Sequence, residues 1–366
     1  MARLICKKTI SPGNRIRVLV VDDSVVIRRL VTQALSEDAA LEVIGSVSNG
    51  ALALARIAQS NPDVVTLDVE MPEMDGLEML RRLAREQVRP RVVMFSTLTE
   101  RGATATLDAL ALGADDYVAK AANGGSLDRS LNSLRDELIP KVKQFFVMPQ
   151  QRPAEPQPQP RPAPASASRQ TYQRPNGSRA KVLAIGVSTG GPTALGTIIP
   201  QVPADFPLPI LIVQHMPPLF TRLLAERLQT STRLKVEEAA DGSTVTAGKI
   251  LIAPGDYHMR LRNTGKEIVI SLDQAPPENS CRPAVDVLFR SVGETFGGSA
   301  IGAVLTGMGQ DGLRGVQTLK AAGAFVLVQD EASSVVWGMP GCVVAAGLAD
   351  SVVPLENVIP EVMKRI

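Results

Sequence analysis

The sequence contains few of the residues that mark secreted, membrane-spanning or metal-thiolate proteins. Its 366 residues include only three cysteines, Cys6, Cys281 and Cys342, whose wide separation matches neither a disulfide framework nor a zinc-ligand spacing. There is no run of about 18 apolar residues to predict a transmembrane helix. The first fifteen residues lack the apolar core of a signal peptide. From these absences we expect a soluble, cytoplasmic protein.

The sequence also has little net charge and few histidines. The formal net charge is +2, from 39 basic and 37 acidic residues, so the composition predicts no strong attraction to nucleic acid or to anionic membranes. Only two histidines occur, His215 and His258, which narrows the search for a general base. The length exceeds what a single hydrophobic core usually supports, so we expect two domains.

A proline-rich segment divides the chain. Seven prolines fall within the sixteen residues from Pro149 to Pro164, and mainly polar residues follow as far as Arg179. Such a composition cannot bury enough apolar surface to fold. We therefore predict one domain over residues 16–135, a linker over 136–179 that is disordered from 149, and a second domain over 180–366.

Apolar strand patterns alternate with amphipathic helix patterns on both sides of the linker. This alternation is typical of α/β folds, and it predicts two doubly wound parallel sheets. The predicted strands of the first domain are 17–21, 43–47, 64–67, 91–96 and 116–118. Those of the second domain are 182–185, 209–214, 249–252, 267–271, 300–305 and 324–329.

Acidic residues follow two predicted strands of the first domain. Asp22 and Asp23 end the first strand and Asp68 ends the third, at the sheet edge where α/β folds bind ligands. Three converging carboxylates repel one another unless a cation neutralises them, and an oxygen-only donor set suggests Mg²⁺. Ser96 and Lys120 end the next two strands. Helix capping by the acids would explain one position but not this convergence.

Residues 16 to about 135 resemble a two-component receiver domain. The resemblance rests on Asp22-Asp23, the run D-x-x-M-P-x-M-D-G from Asp68, Ser96 and Lys120. It implies that Asp68 accepts a phosphoryl group from a histidine kinase. It also implies an Mg²⁺ site formed by Asp22, Asp23 and Asp68, with the Glu70 carbonyl as a further ligand. The implied switch residues are Ser96, Lys120 and Tyr117. One departure is Ala121, which follows the lysine where receivers usually have proline.

The second domain contains a candidate nucleophile, Ser188, in a G-x-S-x-G run that begins at Gly186. This pattern is typical of a strand-to-helix turn that presents a serine next to backbone N–H groups. His215 ends a predicted strand and is favoured as the base over His258, which lies in a turn. Asp311 is the best candidate to orient the imidazole, although an aspartate before a helix is usually an N-cap.

The surrounding turns offer further site residues. The backbone N–H groups around Gly307 and Met308 are candidates for part of an oxyanion hole. Thr189 either assists by hydrogen bonding or is only a small residue that fits the turn. The chain order Ser, His, Asp differs from the Ser, Asp, His order of α/β-hydrolases and disfavours that superfamily.

Residues 180–366 resemble the catalytic domain of the chemotaxis methylesterase family called CheB. The motifs that carry the resemblance are G-V-S-T-G-G from Gly186, V-Q-H-M from Val213, L-I-A-P-G from Leu251, Arg282-Pro283, the run from Leu305 to Gly312, and W-G-M-P from Trp337. It implies a serine hydrolase that removes methyl esters from chemoreceptor glutamates and often deamidates receptor glutamines, with the triad Ser188, His215 and Asp311. No cofactor is expected in this domain.

Two other functions remain open at this stage. One is a related esterase or deamidase of a non-chemotaxis pathway, which the site chemistry does not distinguish from the first reading. The other is a response regulator with a non-catalytic output, for example DNA binding. The second domain is large and its Lys and Arg residues are scattered, which disfavours a compact basic helix-turn-helix. We further expect that the unphosphorylated first domain packs over the Ser188 cleft.

Overall fold

A computed structural model of the chain describes residues 8–11, 13–86, 89–97, 99–120, 127–147 and 179–366. The predicted disorder from residue 149, together with Cys6 and Ala121, lies outside these described residues. Within them, no helix is both long and apolar enough to span a lipid bilayer.

The receiver-like half is a five-stranded parallel sheet flanked by helices. Its strand order is β3-β2-β4-β5-β6, and a two-stranded parallel pair, β1 with β7, lies apart from that sheet. The elements are β1 Lys8–Thr9, β2 Ile16–Val21, α1 Val25–Ser36, β3 Leu41–Val47, α2 Gly50–Ser60, β4 Val64–Asp68, α3 Gly76–Leu83, β5 Arg91–Ser96, α4 Glu100–Ala111, β6 Asp116–Ala119, α5 Leu127–Lys143 and β7 Phe146–Val147.

The second half contains a seven-stranded parallel sheet with the order β10-β11-β9-β8-β14-β15-β16, and a separate two-stranded pair of β12 with β13. Its strands are β8 Val182–Val187, β9 Ile210–Gln214, β10 Lys235–Glu238, β11 Lys249–Ile252, β12 His258–Asn263, β13 Ile268–Asp273, β14 Ala300–Val304, β15 Phe325–Gln329 and β16 Ser351–Val353. Its helices are α6 Gly191–Ile198, α7 Phe220–Gln229, α8 Val285–Phe296, α9 Leu313–Ala321, α10 Met339–Ala345 and α11 Val358–Met363.

The helix starts in the first half follow directly from the sequence. Ser24, Asn49, Asp75 and Thr99 precede the first residues of α1 to α4, and each side chain accepts a hydrogen bond from a backbone N–H of the first turn. These are the residue types that satisfy the unpaired N–H groups of a helix N-terminus. The caps fix where each helix begins after the strand before it.

The predicted fold class of two parallel α/β domains is confirmed, with two differences in detail. Strands β12 and β13 form a separate antiparallel pair, and β10, β12 and β16 were not predicted. Residues 136–147 were assigned to the linker, and this boundary is wrong. Helix α5 continues to Lys143, and Leu138, Val142 and Phe145 are buried in the receiver core. Their helical apolar spacing carries the domain beyond residue 135.

The two halves pack against each other through apolar contacts. One buried cluster contains Leu107, Leu110 and Tyr117 of the receiver half together with Phe220 and Leu224 of the second half. The Tyr117 and Phe220 rings stack with centroids 5.0 Å apart and an interplanar angle of 8°. Burial of these side chains from water stabilises the docked arrangement.

Candidate active site

The candidate catalytic residues meet at one edge of the second sheet. Ser188 follows β8, His215 follows β9, and Asp311 lies in the turn between β14 and α9. Because β9 and β14 flank β8 in a parallel sheet, their carboxyl ends open toward the same side. The strand that follows β8 in sequence, β9, lies on one side of it, and the later strand β14 lies on the other. The strand order therefore reverses at β8, and α/β sheets bind ligands at such a topological switch point.

The Ser188 backbone is held by hydrogen bonds from its N–H group and to its carbonyl group. The Ser188 N–H donates to the Thr306 carbonyl at 3.0 Å, and its own carbonyl accepts from the Gln214 side-chain amide at 3.0 Å. Gly190 adopts φ 78°, a left-handed conformation that glycine reaches without a Cβ penalty, and α6 begins at the next residue. The predicted strand-turn-helix presentation of Ser188 is therefore present.

His215 and Asp311 are joined directly. The His215 Nε2 atom lies 2.8 Å from Asp311 Oδ2, which makes Nε2 the protonated nitrogen and leaves Nδ1 as the basic one. His258 is buried elsewhere, with its Nε2 3.1 Å from the Pro276 carbonyl oxygen. Ser188 and His215 line the same cleft of about 560 Å³. Within the described residues, the Ser188 hydroxyl and the imidazole do not share a hydrogen bond.

Asp311 does cap a helix, but not the one that follows it in sequence. Its carboxylate accepts from the Val285 and Asp286 N–H groups at 2.6 and 3.1 Å, which are the first two residues of α8. The positive end of the α8 dipole therefore faces this carboxylate. The N-cap alternative and the triad role are thus compatible in this structure, because one oxygen serves both His215 and α8.

Asn279 is a site residue that the sequence analysis missed. Its side-chain amide donates to Asp311 Oδ1 and to Asp286 Oδ2, both at 2.9 Å, so it links two buried carboxylates. Asn279 and Ser280 have φ values of 51° and 62°, and both line the cleft with Cys281. The available signal was the asparagine three residues before Arg282-Pro283, but nothing in the sequence connects it to Asp311.

The acid and base are electrostatically coupled. Burial lowers the pKa of the His215 ring, but the hydrogen bond that the ring donates to Asp311 and the neighbouring Cys281 sulfur outweigh burial, so the net shift of the pKa is upward. Burial alone would raise the pKa of the Asp311 carboxyl, but His215 and the backbone N–H groups hold that pKa below its usual range. Cys281 therefore belongs to the surroundings of the candidate base.

The predicted oxyanion donors differ in availability. The Gly307 N–H donates to the Val336 carbonyl at 3.1 Å, so that part of the prediction is wrong. The Met308 N–H has no backbone acceptor among the described residues, and Met308 lines the cleft. The Thr189 hydroxyl donates to Asp116 Oδ2 of the receiver half at 3.0 Å and is thereby turned away from a role at the nucleophile.

The acidic residues of the receiver half also converge. One carboxylate oxygen from each of Asp22, Asp23 and Asp68 lies within 4.8 Å of the others. Lys120 Nζ lies 2.8 Å from Asp68 Oδ2 and 3.0 Å from Asp22 Oδ2. Burial and the Asp22 carboxylate raise the pKa of Asp68 to about 6, although Lys120 opposes the shift. Lys120 thus reaches Asp68 with Ala121 in place of the usual proline.

The other predicted switch residues lie on adjoining strands. The Ser96 hydroxyl at the end of β5 donates to the Gly102 carbonyl at 3.0 Å. The Lys120 N–H donates to the Ser96 carbonyl at 2.6 Å, which ties the end of β6 to the end of β5. Tyr117 on β6 is buried against Phe220 of the second half, so it is an interface residue and not only a residue of the receiver edge.

The receiver half forms one wall of the candidate cleft. Leu110, Asp116, Tyr117 and Lys141 line the same space as Ser188. Asp116 accepts hydrogen bonds from Thr189 Oγ1 at 3.0 Å and from Gln144 Nε2 at 2.8 Å. The expected packing of the receiver over the Ser188 cleft is therefore present, and the docked face consists of α4, β6 and α5.

Comparison with known proteins matches each half of the chain to a protein family. Residues 183–362 match the CheB methylesterase family and residues 18–132 match the response regulator receiver domain. A Trichodesmium erythraeum protein named protein-glutamate methylesterase/protein-glutamine glutaminase is 49% identical over 357 residues, covering 96% of this chain and 99% of that protein. The chain belongs to the CheB methylesterase family.

Further relatives agree with this membership. A Nocardioides protein with the same name is 48% identical over 97% of this chain and 96% of its own length. The crystal structure of the Thermotoga maritima CheB methylesterase catalytic domain is 41% identical and covers 51% of this chain and 99% of that structure, with a TM-score of 0.50. Membership of the CheB family confirms both resemblances and disfavours a DNA-binding output.

The contact between Gly307 and the nucleophile generates a first prediction. A Cβ at Gly307 would lie 2.8 Å from Ser188 Cβ and would also collide with Met339 Sδ. We expect Gly307→Ala to slow phosphonate labelling of Ser188 about tenfold or more, because the serine must shift to make room. Gly196→Ala is the matched control, since a Cβ there meets nothing within 4 Å. Equal labelling rates of the two variants would contradict the packing argument.

The Asp311–His215 hydrogen bond generates a second prediction, on pH. A base must be neutral to accept a proton, and Asp311 raises the His215 pKa, so wild-type labelling should increase with pH through a midpoint above about 6.5. Asp311→Asn should move that midpoint downward and lower the maximal rate by ~10²–10⁴-fold.

The control for this pH profile is Asp205→Asn, at an exposed position away from the cleft. It should reproduce the wild-type profile, with thermal unfolding recorded for each variant to confirm folding. An Asp311→Asn midpoint equal to or higher than that of the wild type would show that the carboxylate does not stabilise the imidazolium.

Proposed function

We propose that this chain is a phosphorylation-controlled protein-glutamate methylesterase that also deamidates glutamines, acting on methyl-accepting chemoreceptors. The observation that carries the proposal is the convergence of Ser188 with the hydrogen-bonded pair His215 and Asp311 at one sheet edge. The receiver half forms a wall of the cleft there. The names of its close relatives support the same activity. In this role, Ser188 is the nucleophile, His215 the general base and Asp311 the positioning group.

The chemistry follows from the basic nitrogen of His215. With Nε2 hydrogen-bonded to Asp311, Nδ1 is the atom that takes the Ser188 proton as Oγ attacks the γ-carbonyl of the substrate. Because the hydroxyl and the imidazole share no hydrogen bond in the structure, this step requires the Ser188 side chain to rotate toward the imidazole. The Met308 N–H is the candidate donor to the developing oxyanion, in place of Gly307.

Collapse of this intermediate releases the leaving group. The imidazolium gives its proton to the leaving methoxy oxygen, or to the leaving amide nitrogen of a glutamine. Methanol or ammonia then departs, and a glutamyl ester remains on Ser188. His215 then takes a proton from water as the water attacks the ester carbonyl, and it returns that proton to Ser188 Oγ as the bond from Oγ to the acyl carbon breaks. The product is a glutamate side chain, which ionises to a carboxylate in solvent. Asp311 keeps its negative charge throughout, because His215 and four N–H donors stabilise it.

The receiver carboxylates fit an Mg²⁺ ion. The donor set is oxygen-only, and Asp22 Oδ2 accepts no hydrogen bond of good geometry from the described residues, although Lys120 Nζ lies 3.0 Å away. Asp22, Asp23 and Asp68 would hold the ion, which would neutralise charge while a histidine kinase phosphorylates Asp68. Lys120 and Ser96 would contact the phosphoryl group.

Strand β6 connects phosphorylation to the cleft. Lys120 follows this strand and contacts Asp68, while Asp116 and Tyr117 within it contact the catalytic half. A phosphoryl group on Asp68 changes the charge beside Lys120, and we propose that the resulting shift of β6 releases both contacts. A tenfold activation needs about 1.4 kcal/mol of difference between docked and undocked states.

Methanol release from methyl-labelled chemoreceptor membranes tests the proposed function. Wild type should release methanol, and release should increase with a small phosphodonor and Mg²⁺. Ser188→Ala should abolish release because the nucleophile is removed, and Asp68→Ala should retain basal release without stimulation. If phosphorylated wild type released nothing while Ser188 still reacted with a phosphonate, the substrate would not be a receptor methyl ester.

The Asp116–Thr189 hydrogen bond generates a prediction about basal activity. Asp116→Ala removes an acceptor that bonds Thr189 across the interface, and a hydrogen bond to a charged group contributes about 1.5–3 kcal/mol. We expect the unphosphorylated variant to release methanol about tenfold faster than wild type, with less additional stimulation by the phosphodonor. Glu42→Ala, at an exposed position on β3, is the control and should behave as wild type. Unchanged basal release in Asp116→Ala would exclude this contact as a restraint.

A further inference from the structure

Helix α4 of the receiver half lies along a basic face of the catalytic half. Glu100 Oε1 lies 3.2 Å from Arg222 Nη2, and Asp108 Oδ1 lies 2.5 Å from Arg227 Nη1. Both arginines belong to α7, and both acids lie on α4, about 12 Å apart along the helix axis. These two ion pairs therefore extend along the helix–helix contact.

The two helices also contribute apolar side chains to one buried cluster. Leu107 and Leu110 of α4 belong to the same buried cluster as Phe220 and Leu224 of α7. The α7 face, defined here as Arg222 and Arg227 with Phe220 and Leu224, thus consists of apolar side chains bordered by two guanidinium groups. Its complement is an amphipathic helix with carboxylates beside its apolar stripe, and α4 has this pattern.

The same helix reaches the catalytic cleft. Leu110, near the end of α4, lines the cleft with Ser188, and its carbonyl accepts from Thr193 Oγ1 of α6 at 3.1 Å. A helix seated on the α7 face therefore points one end toward the nucleophile. Arg222 Nη1 also lies 3.8 Å from Glu226 Oε1 of its own helix, whereas the carboxylate beside Arg227 comes from Asp108 of the receiver half.

We propose that the α7 face is the docking surface for an acidic helical segment of the receptor substrate, and that α4 occupies this surface in the docked form. The inference rests on the proposed function, because each hydrolysis of a glutamyl ester leaves a carboxylate on the substrate segment. Arginine suits such a surface, since its planar guanidinium pairs with carboxylates in a fixed geometry. The docked receiver then competes with the substrate for one surface besides narrowing the cleft.

The test is a double charge reversal, Arg222→Glu with Arg227→Glu, in the full chain with phosphodonor and Mg²⁺. We expect the KM for methyl-labelled chemoreceptor membranes to rise about tenfold and to lose most of its dependence on salt. Phosphonate labelling of Ser188 should stay within about twofold of wild type, because the triad is untouched. Arg233→Glu with Arg262→Glu is the charge-matched control at exposed positions and should keep the wild-type KM.

A reciprocal exchange separates substrate docking from receiver docking. Adding Glu100→Arg and Asp108→Arg to the double reversal restores opposite charges between α4 and α7. We expect this quadruple variant to have the low basal activity of wild type without phosphodonor, because α4 can again pair with α7. Its KM for the membranes should stay high. A wild-type KM in the double reversal, or recovery of the KM in the quadruple variant, would overturn the proposal.

Failure of this proposal is distinguishable from failure of the proposed function. Phosphorylated Ser188→Ala should sediment with chemoreceptor membranes, and the same variant carrying both reversals should remain in the supernatant. This binding measurement needs no turnover. Sedimentation that both reversals leave unchanged would overturn the docking surface, whereas absence of methanol release by wild type would overturn the activity.

Discussion

The arrangement of the candidate catalytic residues depends on one buried carboxylate, which must be hydrogen-bonded to several donors. Asp311 is almost fully buried, and a buried charge is stable only when it is paired and hydrogen-bonded. Five donors satisfy it: His215 Nε2, Asn279 Nδ2 and the N–H groups of Val285, Asp286 and Gly312. They come from four separate segments. The same requirement that keeps Asp311 charged therefore assembles the base, the Asn279 loop and the start of α8 at one point.

The interface residues of the receiver half contact residues that lie close in sequence to the candidate nucleophile and base. Asp116 and Tyr117 are consecutive on β6, and they contact Thr189, next to the nucleophile, and Phe220, five residues beyond the base. Both contacts originate from the strand that precedes Lys120, which pairs with Asp68. A charge change at the receiver acids therefore has a short covalent and packed route to both candidate catalytic residues.

The contacts between α4 and α7 differ in what they contribute to docking of the receiver and to the proposed docking of the substrate. Exposed ion pairs contribute little stability, so the docked state depends mainly on the buried apolar cluster and on the Asp116 contact. The arginine pairs of α7 instead determine which helices fit beside the cleft. A surface that recognises carboxylates on its own receiver is suited to a substrate whose reaction product is a carboxylate.

Local sequence patterns were sufficient to predict the two parallel α/β domains, the family, the candidate nucleophile and base, and the receiver acids. These follow from local patterns, because strand ends, capping residues and glycine turns are encoded within a few residues. The folded structure was needed to show that Asp311 caps α8 and not α9, that Asn279 joins the site, that Gly307 is not a free donor, and that α4, β6 and α5 cover the cleft. Each of these depends on segments distant in the chain, whose contacts are set by packing and by the pairing of buried polar groups.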